Sequence, residues 1–394
     1  MSTALITAPV KLEIVQLKIT ASQLVRPNQV IISARDFSNN TILPIKSDKF
    51  GTVTEILAKV NDVIEKSSPL VKIKLGCTHP VIFSGLCADC GQAINENDEK
   101  DPEIEEINSH PSKVLIPNLP TLKVKESIAQ DLANKDKLRL QNMRKLVLLC
   151  DLDHTLIHTT STSENLQEFD DKTMQKFKFK ETKTWHVTKF RPGLEKFLRE
   201  MSGLYEMQIA TLGIRPYAEK ISRLIDPEQK YFNDSKMLSR CDILDSNGKI
   251  KGNNAFHKAN NLKHLFPCGI DMVVIIDDRT DVWKMKGNVI HVPKYNYWKD
   301  VGDINDPNAK ARGDRIGPFR DKIPEKDDDD YLGILGQILK DIHSKYYWSF
   351  DRQIEKKKSG NRIILPDTHG AMKYFRSKIG EVCFSAVKIL KLFR

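Results

Sequence analysis

Apolar and polar residues divide this chain into stretches of two kinds. Over residues 1–75 they alternate in short runs broken by turn formers. The clearest is GTVTEILAKV at 51–60, closed by Asn61-Asp62, and the pattern predicts strands of a small β-rich module. Beyond Lys145 continuous apolar runs take over: LVLLC at 146–150, MQIA at 207–210 before Thr211, and MVVII at 272–276 before Asp277-Asp278. Runs of this length flanked by charge read as strands buried on both faces of a parallel sheet. Between them, residues 191–201, 217–225 and 262–266 space their apolar positions as helices do, which makes βαβ units. A charged helix over 126–144 leads into the first of these strands. Another, behind the acidic cap 327–330, carries Leu332, Leu335, Leu339 and Ile342 at helical spacing.

Candidate chemistry gathers where those buried runs end. The first opens onto Asp151-Leu152-Asp153-His154-Thr155, and open α/β sheets form their ligand crevice at strand carboxyl ends. Two carboxylates two residues apart can turn toward one small volume. They repel unless a cation lies between them, and paired carboxylate oxygens suit Mg²⁺. One Asp could attack phosphorus while the other handles the leaving-group proton. The bland alternative is an N-cap and turn cluster opening a helix. Thr211, Asp277 and Asp278 fall at the carboxyl ends of the other runs, and Lys258 stands ahead of the 262–266 helix. Nucleophile, metal, cation and hydroxyl donor are the parts phosphoryl transfer requires. Singly, Thr211 reads as a cap, Lys258 as a solvated charge and the second acidic pair as a turn; jointly, in this order, coincidence is improbable.

The segments DLDHTLIHT (151–159), TKFRPGLEKFL (188–198), TLGIRPYAEKI (211–221) and MVVIIDDRTDVW (272–283) resemble haloacid-dehalogenase-superfamily phosphatases. Within that superfamily they resemble the RNA polymerase II carboxy-terminal-domain phosphatases of the TFIIF-associating type. The likeness continues through DPEQKYF (226–232), LSRCD (238–242), LFPCG (265–269) and DDDDYLGILGQILKDIHSKYY (327–347). It implies a Rossmann-like haloacid-dehalogenase α/β fold with a parallel sheet and a β-hairpin insert cap. It also implies an Mg²⁺-dependent serine/threonine phosphatase that works through an aspartyl-phosphate on the phosphorylated tail of the polymerase's largest subunit, in the nucleus, with a general transcription factor as a further partner. By position, Asp151 would be nucleophile and metal ligand, and Asp153 the general acid/base, binding metal through its carbonyl. Thr211 would donate to the phosphoryl oxygens and Lys258 would neutralise the phosphoaspartate. Asp277 would complete the metal shell, with Asp278 beside it.

The N-terminal module carries a second likeness. Gly-Thr-Val at 51–53, Val-Asn-Asp-Val at 60–63 and Ser-Pro-Leu-Val at 68–71, echoed by LVRPNQV at 24–30, resemble a lipoyl/biotinyl-carrier-like β-sandwich. The turn at 35–40, where such a carrier presents its modified lysine, holds none, so residues 1–76 are expected to form a degenerate docking module. Cys77, His79, Cys87 and Cys90 offer four soft ligands and make residues 77–91 a candidate knuckle for structural Zn²⁺, beside the alternative of a reduced cysteine cluster. Acidic, proline-interrupted residues 92–125 read as a linker and 126–350 as the catalytic domain.

The 394 residues include 62 Lys and Arg against 52 Asp and Glu, a net charge of +10. That excess suits an anionic partner such as a phosphopeptide, or simply a lysine-rich surface. No strong nucleic-acid motif accompanies it. No secretory signal opens the chain and no apolar run approaches a membrane span. The seven cysteines argue against a disulfide framework. The polar stretch 159–182 and the TWHVTKF that follows predict a hairpin flap over the cleft. Residues 351–394 read as a basic tail, too short for a phosphopeptide-binding BRCT domain, with the lysines 356–358 a candidate nuclear signal. The rival readings are a related phosphatase with another phosphoprotein substrate and a non-catalytic polymerase-binding scaffold.

Overall fold

The computed structural model describes residues 3–76, 79–89, 91, 93, 113–114, 121–162, 172–180, 182–233, 236–242, 258, 262–283, 287–298, 301–306, 327–358 and 367–379. The chain forms two compact units, residues 1–112 with 123–125, and residues 113–122 with 126–394.

The first unit begins with eight strands: β1 (Thr3–Thr7), β2 (Leu12–Leu17), β3 (Leu24–Val25), β4 (Val30–Asp36), β5 (Ile42–Lys46), β6 (Gly51–Ile56), β7 (Val63–Ile64) and β8 (Pro69–Leu75). They make two four-stranded antiparallel sheets, β1-β8-β6-β3 and β5-β4-β2-β7. The two halves repeat each other at one constant spacing. β1 to β4 correspond to β5 to β8, and β2 and β6 share one alternation of buried and exposed positions. Buried Ile6, Ile14, Ile31 and Ile32 of the first half match buried Ile45, Val53, Leu70 and Val71 of the second. Even the left-handed turn residues pair off, Ser22 with Asn61 and Asn28 with Ser67. Alternation with a period of two buries one face of every strand in a single shared core. The β4–β5 turn, through Phe37, Ser38, Asn39 and Asn40, is pinned by the Asp36 carboxylate, which accepts from the Ser38 amide at 2.8 Å. Short strands follow at Val81–Phe83 (β9) and Leu86–Cys87 (β10); Lys113–Val114 (β11) falls in the second unit, and Leu122–Val124 (β12) runs across the boundary at 122–123. Cys77, Cys90 and most of the expected linker lie outside the described residues.

The second unit runs α1 (Glu126–Asn142), β13 (Leu146–Cys150), β14 (Ile157–Thr162), β15 (Met174–Lys178), β16 (Trp185–Phe190), α2 (Leu194–Ser202), β17 (Tyr205–Ile209), α3 (Arg215–Ile225), α4 (Leu262–Leu265), β18 (Val273–Asp277), β19 (Val289–His291), α5 (Tyr331–Lys358) and α6 (Thr368–Ile379). β17, β13, β18 and β19 form a parallel sheet in that order. β13 and β18 are buried at all five positions, in one core with residues of α1, α2, α3, α5 and α6. Their register sets Cys150 beside Ile209 and Ile276. The residues that follow β13, β17 and β18 therefore emerge on one edge.

Three expectations need correction. The flap is a three-stranded antiparallel sheet, β14-β16-β15, rather than a hairpin, because β16 pairs on both sides. Met174 and Val187 pack there against Tyr295, Tyr297 and Trp298, giving the extra strand a core of its own. The boundary at 350 falls inside α5, and the stretch read as a tail supplies α6. Thr368, at the start of α6, donates through its hydroxyl to the Val273 carbonyl at 2.7 Å and accepts from Asn288 Nδ2 at 2.8 Å. β17 ends one residue before its apolar run does, so Thr211 stands in the loop beyond it. Among the described residues no helix is long and apolar enough to cross a membrane.

Candidate active site

A tight turn follows β13. The amides of Thr155, Leu156 and Ile157 all point back to the Leu152 carbonyl, and His154 takes a left-handed φ of 60°. His154 tolerates it because its Nδ1 lies 2.9 Å from the Tyr295 carbonyl and its ring packs on His158. Behind the turn, the buried Arg191 guanidinium grips Asp329 through two bonds of 2.8 Å and donates to the Thr155 carbonyl at 3.0 Å. This clamp explains why the FRPGL and DDDDYL segments belong to the site's support.

Thr155 Oγ1 donates to Asp151 Oδ2 at 3.0 Å and accepts from the Asp278 amide at 3.0 Å. Lys258 Nζ lies 2.7 Å from Asp151 Oδ1 and 2.7 Å from Asp277 Oδ2, with all three groups buried. Burial alone would lower the Lys258 ammonium, but the two carboxylates overcome it and hold it above its usual range. Asp151 is pushed up to about 7, first by burial and then by the Asp277 charge, with Lys258 opposing. Asp278 is driven well above the carboxylate range by burial and by the charges of Asp151 and Asp277.

The two acids at the end of β18 do different work. Asp277 Oδ1 accepts from the Arg279 amide at 2.8 Å, and Oδ2 accepts from both Lys258 and Trp283 Nε1, the latter at 2.8 Å. Both its oxygens are engaged in holding the lysine and the turn. The carboxylates of Asp151, Asp277 and Asp278 lie within 4.8 Å of one another, the one metal-ligating group of this kind among the described residues. One lysine against three acids leaves a surplus of negative charge, and hard oxygen donors at this spacing fit Mg²⁺.

Asp153 is held from both sides: Tyr217 donates its hydroxyl to Oδ1 at 2.6 Å and Asn305 Nδ2 donates to Oδ2 at 2.9 Å. Burial, then the nearby Asp303 charge, raises Asp153 well above the ordinary range. Thr211 is buried at the same edge, its hydroxyl accepting from the Gly213 amide at 3.0 Å. The structure thus joins Asp151, Lys258, Asp277 and Asp278 directly. It places Asp153 two residues along and Thr211 on the neighbouring strand's loop. Of the zinc candidates, Cys87 is buried and His79 lies at φ 45°, while Cys77 and Cys90 are outside the described residues.

Tyr217, Asn305 and Asp303 escaped the sequence reading. Tyr217 occupies a helical apolar position and looks like core; Asn305 and Asp303 sit in a stretch whose composition signals only a turn.

Residues 146–311 match the family model of NLI interacting factor-like phosphatases. An RNA polymerase II C-terminal domain phosphatase of Homo sapiens is 37% identical over 279 residues, covering 71% of this chain and 27% of the relative. Its counterpart in Caenorhabditis elegans is 34% identical over 312 residues, covering 78% of this chain and 43% of the relative. This chain therefore spans less than half the length of either. A solved structure of Fcp1, an essential RNA polymerase II CTD phosphatase, superposes with a TM-score of 0.50 at 29% identity, covering 63% of this chain and 75% of that one.

Proposed function

We propose that the chain, whose residues 146–311 match the family model of NLI interacting factor-like phosphatases, is an Mg²⁺-dependent protein serine/threonine phosphatase of the phosphorylated RNA polymerase II tail, of the haloacid-dehalogenase type and acting in the nucleus. The observation that carries the chemistry is Asp151 itself, a buried carboxylate fixed by Lys258 on one oxygen and Thr155 on the other. The names of its relatives support the substrate.

Asp151 attacks phosphorus, the P–O bond to serine breaks, and Asp153 gives its proton to the departing serine oxygen. Asp153 then takes a proton from the water that attacks the aspartyl-phosphate, which returns Asp151 and frees phosphate. Lys258 offsets charge on the phosphorylated Asp151, and the Thr211 hydroxyl serves the equatorial oxygens. Asp151, the Asp153 carbonyl and Asp278 would hold Mg²⁺, whose positive charge would let a dianionic phosphoryl group approach these acids. Asp278 is the better carboxylate ligand of the terminal pair because Asp277 is committed to Lys258, Trp283 and Arg279. A non-catalytic scaffold would have no use for so crowded a set of buried acids, whose repulsion is costly.

The repeated two-sheet unit supports a lipoyl/biotinyl-like docking module whose β4–β5 turn lacks the lysine a carrier needs. A structural Zn²⁺ at Cys77, His79, Cys87 and Cys90 is favoured by the turn at Cys87. There the Asp89 amide points at Sγ at 3.4 Å and the Gly91 amide bonds the Cys87 carbonyl at 2.9 Å, so the backbone turns around the sulfur as it does in a metal-binding knuckle.

The test is phosphate release from phosphorylated tail-repeat peptides beside small phosphate esters, with Mg²⁺ and with excess EDTA. Turnover of the peptides that stops on chelation supports the reading; undiminished turnover in EDTA contradicts it.

A further inference from the structure

Asn305 is more firmly fixed than a surface turn requires. Its amide N–H donates to Asp303 Oδ1 at 2.7 Å and its carbonyl accepts from Arg240 Nη1 at 3.2 Å. The adjoining Asp306, also buried, is ion-paired with Arg279, the residue whose own amide bonds Asp277. Two braces thus set the backbone of Asn305 and a third holds the residue after it, while the Asn305 side-chain amide is aimed at Asp153 Oδ2, at 2.9 Å. Tyr217, on α3, occupies the other oxygen.

The chemistry of the amide matters. A lysine or arginine at this place would lock Asp153 as a permanent anion, whereas the group must hold a proton in one half-reaction and accept one in the other. An asparagine Nδ2 donates a hydrogen bond without charge and does not titrate, so it can fix the carboxyl's orientation through both halves. Orientation is what a proton donor needs, because a misplacement of about 1 Å can cost on the order of 10²-fold in rate.

We infer that Asn305 is a positioning residue for Asp153, holding the carboxyl, through the brace of Asp303 and Arg240, in the attitude from which it protonates the departing serine oxygen. The inference rests on the phosphatase reading above. It predicts dependence on the leaving group. When the P–O bond to serine breaks, the alkoxide needs the Asp153 proton as it forms. p-Nitrophenolate leaves as a stable anion and needs none.

The experiment follows leaving-group release in single turnovers, with the full chain in excess over substrate and Mg²⁺ present, for a phosphoserine tail peptide and for p-nitrophenyl phosphate. Asn305→Ala and Asn305→Asp, the second keeping the shape but losing the donor, should each slow the peptide by about 10²-fold while slowing the nitrophenyl ester by less than about 3-fold. Partial misfolding lowers both rates alike and leaves their ratio untouched, so the ratio is the quantity read. Equal losses on the two substrates, or full peptide rates in both variants, would overturn the assignment. A wild-type chain that releases neither leaving group would overturn the phosphatase reading itself, a result distinct from an active wild type whose ratio the variants do not change.

Discussion

Lys258 Nζ lies 2.7 Å from Asp151 Oδ1, and the same ammonium bridges to Asp277 at 2.7 Å. Asp151 thus shares its counter-ion with the acid at the end of β18, which ties the carboxyl ends of β13 and β18 together. Lys258→Met should lower kcat for peptide dephosphorylation by about 10²–10³-fold, since a fixed charge at the reacting centre is lost. Steady-state phosphate release, with circular dichroism to verify folding, checks it. A variant within a few fold of wild type would show that the lysine serves only structure.

Asp277 and Asp278 should separate in a magnesium titration. Asp278→Asn is expected to raise the half-saturating Mg²⁺ concentration by about 10–100-fold. Asp277→Asn should depress kcat through Lys258 with a smaller change in metal requirement. The opposite pattern would place the metal on Asp277.

The Arg191 clamp is a stability prediction. Arg191 is 1% exposed and Asp329 23% on their side chains. Arg191→Ala strands the carboxylate and frees the Thr155 turn, so unfolding free energy should fall by about 3 kcal/mol. Urea denaturation measures this, and a loss below about 0.5 kcal/mol would mark the pair as incidental.

His158 provides a pH signature. It receives the Trp298 amide on Nδ1 at 3.1 Å and its Nε2 lies 3.2 Å from the Val301 carbonyl, which fits a neutral ring protonated on Nε2. Burial first, then the adjoining His154, holds it well below its ordinary value. Because the unfolded chain then binds the proton more readily, the stabilisation is complete above about pH 6.5 and drains away as pH falls toward the folded value. Thermal melts between pH 5 and 7.5 should show this decline, and His158→Gln should make it shallower. Parallel profiles for the two proteins would contradict it.

The sheet and its acidic edge were legible because β13 is a run of five apolar residues with charge on either side, a pattern tertiary context rarely overrides. The site's supporting residues were not. Tyr217 satisfies the same helical periodicity as the core residues Ala218 and Ile221 beside it, and nothing local says its hydroxyl meets Asp153 at 2.6 Å. The division of labour between Asp277 and Asp278 depends on Trp283 and Lys258, brought in from six and nineteen residues away. The third flap strand and α6 were obscured because their packing partners, Trp298 and Asn288, lie far along the chain.

In the proposed reaction Asp151 carries the phosphoryl group. Rapid-quench mixing of the chain with a ³²P-phosphoserine tail peptide, followed by proteolysis and mapping, tests it most directly. A transient label on the fragment containing Asp151, released by hydroxylamine and missing from folded Asp151→Asn, is the expected result. Phosphate release at full rate from Asp151→Asn, with no labelled protein at any time point, would contradict it.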